Sequence, residues 1–238
     1  EQEENPFYDN YFFLTDSTFF EVFHFPLLQG DPKTALTKPF SVVITEDLAQ
    51  RLFGDGDPMG RTLRVRSGGY PAGPYDLTVT GVARNVLHNA HFQFHLLASY
   101  STLFLTNPDR RDDWRSSGNY TYVLLREGAT SAQVEQKLPD FVARYLEYAK
   151  SNPYTLQPLT AIHLHSNHIR EIQPNSDARY LYIFSAVALV TLLIACVNYM
   201  NLATARGARR AKEVGIRKIA GAHRRQVVGQ FLGVSLLF

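Results

Sequence analysis

The 238-residue chain has a single cysteine, Cys196, so no disulfide can form within it. That excludes a disulfide-scaffolded secreted mini-protein and leaves the compartment open. No Walker A pattern (GxxxxGKS or GxxxxGKT) occurs, so these residues do not hydrolyse a nucleotide by the P-loop route. The nucleophile pattern GxSxG and the zinc-protease pattern HExxH are missing as well. The opening EQEENPFYDN lacks the basic and apolar regions of a secretory signal. Internal repeats and low-complexity tracts are absent. Carboxylates become scarce along one part of the chain: residues 203–238 hold one, Glu213, against 8 Lys or Arg, whereas residues 1–202 hold 21 against 16. The small net charge of +2 hides this split. Such asymmetry predicts that two parts of the chain meet different surroundings. Nucleic acid is the usual partner of a basic segment, but the neighbouring sequence argues against it.

That neighbour is YLYIFSAVALVTLLIACV, Tyr180–Val197, 18 residues without a charge, and the uncharged stretch continues through Ala205. A hydrocarbon core of about 30 Å takes roughly 20 helical residues, so the segment is long enough to span. Tyr180, Tyr182 and Tyr199 fall near its ends, where aromatic belts form. The nearest basic residues before it are Arg170 and Arg179. After it come Arg206, Arg209, Arg210, Lys212, Arg217, Lys218, Arg224 and Arg225. The excess of cations on that flank predicts residues 203–226 in the cytoplasm and residues 1–178 outside it. Residues 227–238 read as the start of a second span. Both the opening and the final apolar run read as parts of a longer protein.

The preceding residues read as α+β. Ser41–Ile44 is a short apolar strand, followed by a helix with Thr45 as N-cap, Glu46 and Asp47 in its first turn, and Leu48, Leu52 and Phe53 on one face. Gly54 stops that helix. RTLRVR and YDLTVTGVAR are strands joined by a hairpin-like loop, SGGYPAGP, with Leu77 and Val79 alternating with Asp76, Thr78 and Thr80. NYTYVLLRE is predicted as a further strand from its β-branched and aromatic content. Thr130 and Gln133 form a capping box. The helix behind it presents Val134, Leu138, Phe141, Val142, Tyr145 and Ala149, with Pro139 set to kink or shorten it. YTLQPLTAIHLHS is expected to run extended.

Two histidine groups, His88/His91/His95 and His163/His165/His168, have spacings compatible with zinc, but neither has a cysteine partner or a convergent geometry. No metal site and no cofactor are assigned. Cys196, inside the apolar helix, is a small filler rather than a nucleophile. In DSTFFEVFHFPLL, Phe19, Phe20, Phe23 and Phe25 read as a dense core behind a helical turn capped by Asp16, with an apolar ligand site as the other reading.

The basic segment, read as a helix, places Arg206, Arg209, Arg210, Glu213 and Arg217 on one face and Ala211, Val214, Gly215 and Ile219 on the other. Glu213 and Arg217 are an i,i+4 pair in the favourable order. This predicts an amphipathic helix at the bilayer surface, followed by a turn at Gly221. It serves either as a topology anchor or as a docking element.

SVVITEDLAQRLFGDGDPMGRTLRV followed by YDLTVTGVARNV resembles the extracytoplasmic core of ABC-transporter permeases of the MacB/FtsX type. LIACVNYMNLATARGARRAKEVGIRKIAGAHRRQVVGQFL, above all EVGIRKIAGA at Glu213–Ala222, is similar to their FtsX-type transmembrane domain. The resemblance covers nearly the whole chain. It implies an extracytoplasmic domain of two small α+β lobes, one inserted into the other, over residues 1–178. Residues 11–90 would be the inserted lobe and residues 91–175 the second half of the membrane-proximal lobe, HNAHFQFHLLASY occupying the place of a polar loop and strand. Residues 179–238 would hold a span at 180–202, a cytoplasmic coupling helix at 206–222 and the start of the next span at 227–238.

The resemblance further implies a bacterial inner-membrane permease, dimeric or paired, that is not itself an enzyme. It would pass motion from a separate or fused ATPase to the extracytoplasmic lobes, for export or mechanotransmission. Glu213, Gly215, Arg217, Lys218, Gly221 and Ala222 are the residues expected to couple to the ATPase. The bilayer and the ATPase are the expected partners, and nucleic acid is not one. A membrane-anchored sensor domain and an anchored metal-dependent hydrolase are the competing readings.

Overall fold

The computed structural model describes residues 8–67, 73–111, 113–114, 118–146, 154–168, 170–219, 221, 223, 228–229 and 233. The chain forms two units, Glu1–Asn175 and Ser176–Phe238.

The first unit is built on one mixed sheet. Its strands are β1 (Phe12–Thr15), β2 (Leu27–Gln29), β3 (Ser41–Thr45), β4 (Thr62–Ser67), β5 (Gly73–Ala83) and β6 (Leu96–Ser99). The order across the sheet is β1-β6-β3-β5-β2, with β4 also on β5. β3 lies antiparallel to β6 and parallel to β5. Every residue of β3 and β6 is buried, as two-sided central strands require. Side chains alternate between faces. Val43, Ala83 and Leu97 join one cluster with Phe19, Phe20, Phe92 and Phe94. Val42, Ile44, Leu96 and Ala98 join the other with Leu48 and Ala49.

β5 carries Leu77 and Val79 on that second face, as the alternation predicts, yet Val82 joins them there. A bulge resolves the change of parity: Val42 pairs with Val79 while Val43 pairs with Gly81, leaving Thr80 unmatched. The extra residue resets the register. Thr80 Oγ1 donates to Ala35 O at 2.6 Å and lies 3.2 Å from Val42 O, so the bulged hydroxyl is tied into the neighbouring chain. The close approach at this point demands glycine. A Cβ on Gly81 would lie 3.2 Å from both Gln29 O and Val43 Cγ2, and Gly30 sits at φ +93 with Thr80 O 2.5 Å from where its Cβ would be.

Short helices cover the sheet: α1 (Phe19–Phe23), α2 (Glu46–Phe53) and α3 (Ser101–Thr106). Asp16 Oδ1 accepts from Thr18 N at 2.9 Å and Thr18 Oγ1 at 2.6 Å, ordering the entry to α1. α2 begins after Thr45 and ends at Gly54, as expected, but Thr45 makes no side-chain cap. Its buried Oγ1 has no partner among the described residues. Asn85 Oδ1 accepts from Asp47 N at 3.1 Å instead, a cap supplied from beyond β5. The Phe-rich stretch is a core: Phe19, Phe23 and Phe25 surround Phe92 with centroids 5.0 to 5.8 Å away.

β6 lies on the 91–175 side of the expected lobe boundary, yet it forms the sheet between β1 and β3. Beyond α3 and a 3-10 turn at Pro108–Arg110 come α4 (Ser131–Glu135), α5 (Leu138–Tyr145), a 3-10 turn at Leu159–Ala161 and α6 (Ile162–His165). The Thr130–Gln133 capping box is present in full. Pro139 stands in the first turn of α5 and marks the division from α4, because it lacks the N–H a continuous helix needs. Ala149 and the SGGYPAGP loop tip at 68–72 lie outside the described residues. Trp114 stacks on Tyr145 at 5.1 Å and meets Phe141 edge-on at 5.8 Å.

Two segments differ from the form their sequence predicts. NYTYVLLRE forms no strand among the described residues. β-propensity is a fit to a paired surface, and this segment is held by side chains instead: Tyr122 OH lies 2.7 Å from His91 Nε2, and Tyr120 OH donates to Arg170 O at 2.8 Å. YTLQPLTAIHLHS is not extended throughout; its second half coils into the 3-10 turn and α6.

Candidate coupling helix

The second unit is dominated by one helix, α7, running without interruption from Ala178 to Ile219 over 42 residues. Its start is set by Asp177, whose Oδ1 accepts from Arg179 N at 2.8 Å. Residues Ala178–Gly207 are long and apolar enough to cross a membrane, with none of that apolar window buried. The large side chains from Tyr180 to Leu202 are exposed, the state of a surface whose solvent is lipid. Thr191 Oγ1 donates to Val187 O at 2.8 Å, which satisfies the hydroxyl inside the helix.

The expected break between the span and a separate surface helix is missing. Residues 203–211, ATARGARRA, are helical throughout. Alanine and arginine are strong helix formers, and Gly207 alone costs only about 1 kcal/mol, so the helix propagates. A segment lying flat on the bilayer would need a turn after residue 202, and α7 has none. At 1.5 Å per residue the whole helix measures about 63 Å, roughly twice the hydrocarbon thickness.

Glu213, Gly215, Arg217 and Lys218 therefore stand on the same helix as the span. Gly215 has open space where a Cβ would be, and Gly221 follows the helix at φ +87, a left-handed stop; that conformation ends helices at little cost only in glycine. Ala222 and most of 227–238 lie outside the described residues.

In the first unit, the two histidine groups do not converge. His95 Nδ1 lies 2.7 Å from Asp9 Oδ2, and Tyr11 O accepts from His95 N and Leu96 N, fastening β1 to β6. His91 turns instead to Tyr122. Burial holds the His91 imidazole below its ordinary value, with Glu171 opposing. Burial, reinforced by Tyr120 and Glu171, raises the Tyr122 phenol to about 12. The hydrogen bond from Ser166 holds the Glu171 carboxyl down, burial opposes it, and His168 N–H adds to the lowering. Among the described residues no three His, Cys, Asp or Glu side chains gather as a metal site. No local pattern marks the His91–Tyr122 or His95–Asp9 pairs, because each joins residues far apart in the chain.

Residues 4–141 match the model of the MacB-like periplasmic core domain, and residues 185–238 match the FtsX-like permease C-terminal model. The chain belongs to the MacB/FtsX-type ABC permease family. Its mixed α+β domain followed by an apolar helix is the arrangement that family predicts. The macrolide export ATP-binding/permease protein MacB of Neisseria meningitidis serogroup A is 27% identical over 82% of this chain and 27% of its own length. A MacB 1 protein of Yersinia pestis is 25% identical over 92% of this chain and 31% of its own length. The chain thus spans under a third of these curated relatives. The crystal structure of the periplasmic region of MacB from Actinobacillus actinomycetemcomitans aligns at TM-score 0.37 and 16% identity, covering 62% of this chain and 60% of that one.

Proposed function

We propose that this chain is the part of an ABC-transporter permease that carries ATP-driven conformational change from a cytoplasmic ATPase to an extracytoplasmic domain, in export or mechanotransmission. The continuity of α7 from Ala178 to Ile219 carries this reading. A span that continues as one helix into a polar, cation-rich segment transmits displacement, because helical hydrogen bonds resist bending where no proline or bulge interrupts them. Residues 1–178 lie outside the cytoplasm and 203–226 within it, in a bacterial inner membrane. Permeases pair, each with an ATPase that is fused or separate.

Glu213, Arg217 and Lys218 supply charges that pair with the ATPase, and Gly215, Gly221 and Ala222 allow its surface to come close. The extracytoplasmic domain comprises two lobes, with residues 11–90 forming most of the inserted one. The ATP-binding/permease names of the relatives support an ATPase fused or in partnership, and their export roles support an export cargo of unassigned class.

The test is a pull-down of the full-length protein from detergent-solubilised native membranes, wild type beside Glu213→Lys, with ATPase activity and membrane insertion both measured. ATPase activity that co-purifies with wild type and is lost from the variant, at equal insertion, supports coupling through this segment. Loss of insertion alone would reduce the segment to a topology anchor. Absence of any fused or associated ATPase would sink the proposal.

A further inference from the structure

α7 carries two carboxamides into the apolar stretch. Tyr180 and Tyr182 stand where that stretch begins, and roughly twenty residues of hydrocarbon from Tyr182 reach Leu202. Asn198 then lies about 6 Å inside that limit along the axis, with Asn201 at its edge. Thr191, deeper still, is satisfied within the helix by Val187 O. Asn198 and Asn201 are exposed, and neither side chain makes a hydrogen bond among the described residues. A carboxamide offers N–H donors and a carbonyl acceptor, and hydrocarbon supplies a partner to neither. Polar residues inside a bilayer face another helix rather than lipid.

The neighbours of the two asparagines select which helix that is. Val187, Thr191, Ile194, Asn198, Asn201 and Ala205 follow one another in alternating steps of four and three. At about 100° per residue they occupy an arc of roughly 80°, with Leu189, Leu193 and Met200 on the opposite side. Steps averaging about 3.5 residues make the seam of a left-handed helix pair, the usual hand inside membranes. Thr191 and Ala205 are small enough to let two backbones come close there. In a parallel pair of identical helices, each seam position meets its own copy at its own depth. Asn198 then faces Asn198, and one carboxamide complements the other, donor to acceptor in both directions.

We infer that the Asn198 face of α7 packs in parallel against α7 of a second copy of this chain, the two Asn198 carboxamides hydrogen-bonding to each other. Asn201 repeats the contact one step nearer Arg206. The inference rests on the reading that α7 spans the bilayer and that such permeases pair; it adds the face and the contact. The seam lies outside the ATPase-coupling residues Glu213–Ala222 and does not depend on that assignment.

Two differently tagged copies of the full-length protein, co-expressed and oxidised in native membranes with copper phenanthroline, test this. Thr191→Cys and Ile194→Cys place a cysteine on the seam, and Leu189→Cys and Leu193→Cys place one opposite, each as the sole cysteine of the protein. The seam positions should give a disulfide-linked species carrying both tags. The opposite positions should give none, because their Cα atoms would stand more than about 7 Å apart. Asn198→Leu keeps the span apolar and should raise the dissociation constant of the pair in detergent about 3- to 8-fold, from one or two interhelical hydrogen bonds. Asn198→Gln keeps the carboxamide and should restore most of the pairing. Cross-links of equal yield on both sides of the helix would overturn the face, as would a cross-linked partner that is not a second copy. Unchanged pairing in Asn198→Leu would overturn the carboxamide contact. Capture of one tag with the other, without any seam cross-link, would refute this interface and leave pairing itself standing; no capture would refute both. Co-purifying ATPase activity, read on the same membranes, reports the coupling reading separately.

Discussion

Replacing Gly30 with alanine tests the closest contact in the sheet. Its φ is +93, and an added Cβ would lie 2.5 Å from Thr80 O and 2.9 Å from Gly81 Cα. Non-bonded carbon atoms sit comfortably at about 3.5–4.0 Å, so β2 would have to withdraw from β5 by about 1 Å. That movement opens the pairing at Gln29↔Val82 and loosens the bulge held by Thr80. Gly54→Ala is the control, because Gly54 also has a positive φ, +58, but nothing lies within 4 Å of its Cβ position. There the cost is the backbone penalty alone, about 1–3 kcal/mol, since φ +58 with ψ −131 is a conformation that side chains other than glycine rarely adopt. Gly30→Ala adds the steric clash to a comparable backbone penalty, for a total of about 3–5 kcal/mol. Urea unfolding of the two variants and wild type, followed by far-ultraviolet circular dichroism, measures the difference. If Gly30→Ala costs no more than Gly54→Ala, the close β2–β5 approach is wrong.

Inserting one alanine after Gly207 should turn the coupling face by about 100° and advance it by about 1.5 Å while leaving the span intact. Stimulation of the associated ATPase should then be lost at normal insertion, and full stimulation would show that α7 does not transmit motion as one body. His91→Gln should flatten the acid dependence of stability. The unfolded chain takes up a proton at its ordinary value near 6.5, and the buried imidazole does so only at lower pH, so this contribution is present above 6.5 and lost as pH falls through the folded value. Glutamine keeps a partner for Tyr122 OH without titrating. Thermal unfolding from about pH 7.5 to 5 should show a smaller loss in the variant than in wild type; identical slopes would clear His91 of the effect.

Local signals made part of the fold legible. β3 followed by α2 was readable because an apolar run, acidic first-turn residues and a terminal glycine occur within 14 residues, Ser41–Gly54. The Thr130–Gln133 box and the break at Pro139 are equally local. β6 was not readable as a strand between β1 and β3, since its pairing joins residues more than 80 apart in the chain, such as Phe12 and Leu96. NYTYVLLRE shows the same limit from the opposite side, with strand composition but no strand pairing among the described residues. In the candidate site, the residue types and their order were legible at Glu213–Ala222. Continuity through residues 203–205 was not, because charge marks where lipid ends and says nothing of whether the backbone turns there.

The stacking of Trp114 on Tyr145 has a practical consequence, because the chain contains one tryptophan. The residue is 47% exposed, while its ring rests on α5 through Tyr145 and Phe141. Emission excited in the indole band therefore arises from a single place in the chain, at the surface of α5. Any event that shifts α5 against the 113–114 segment changes the solvation and quenching of that ring. These 238 residues thus carry their own fluorescent reporter for this part of the first unit, readable without a label.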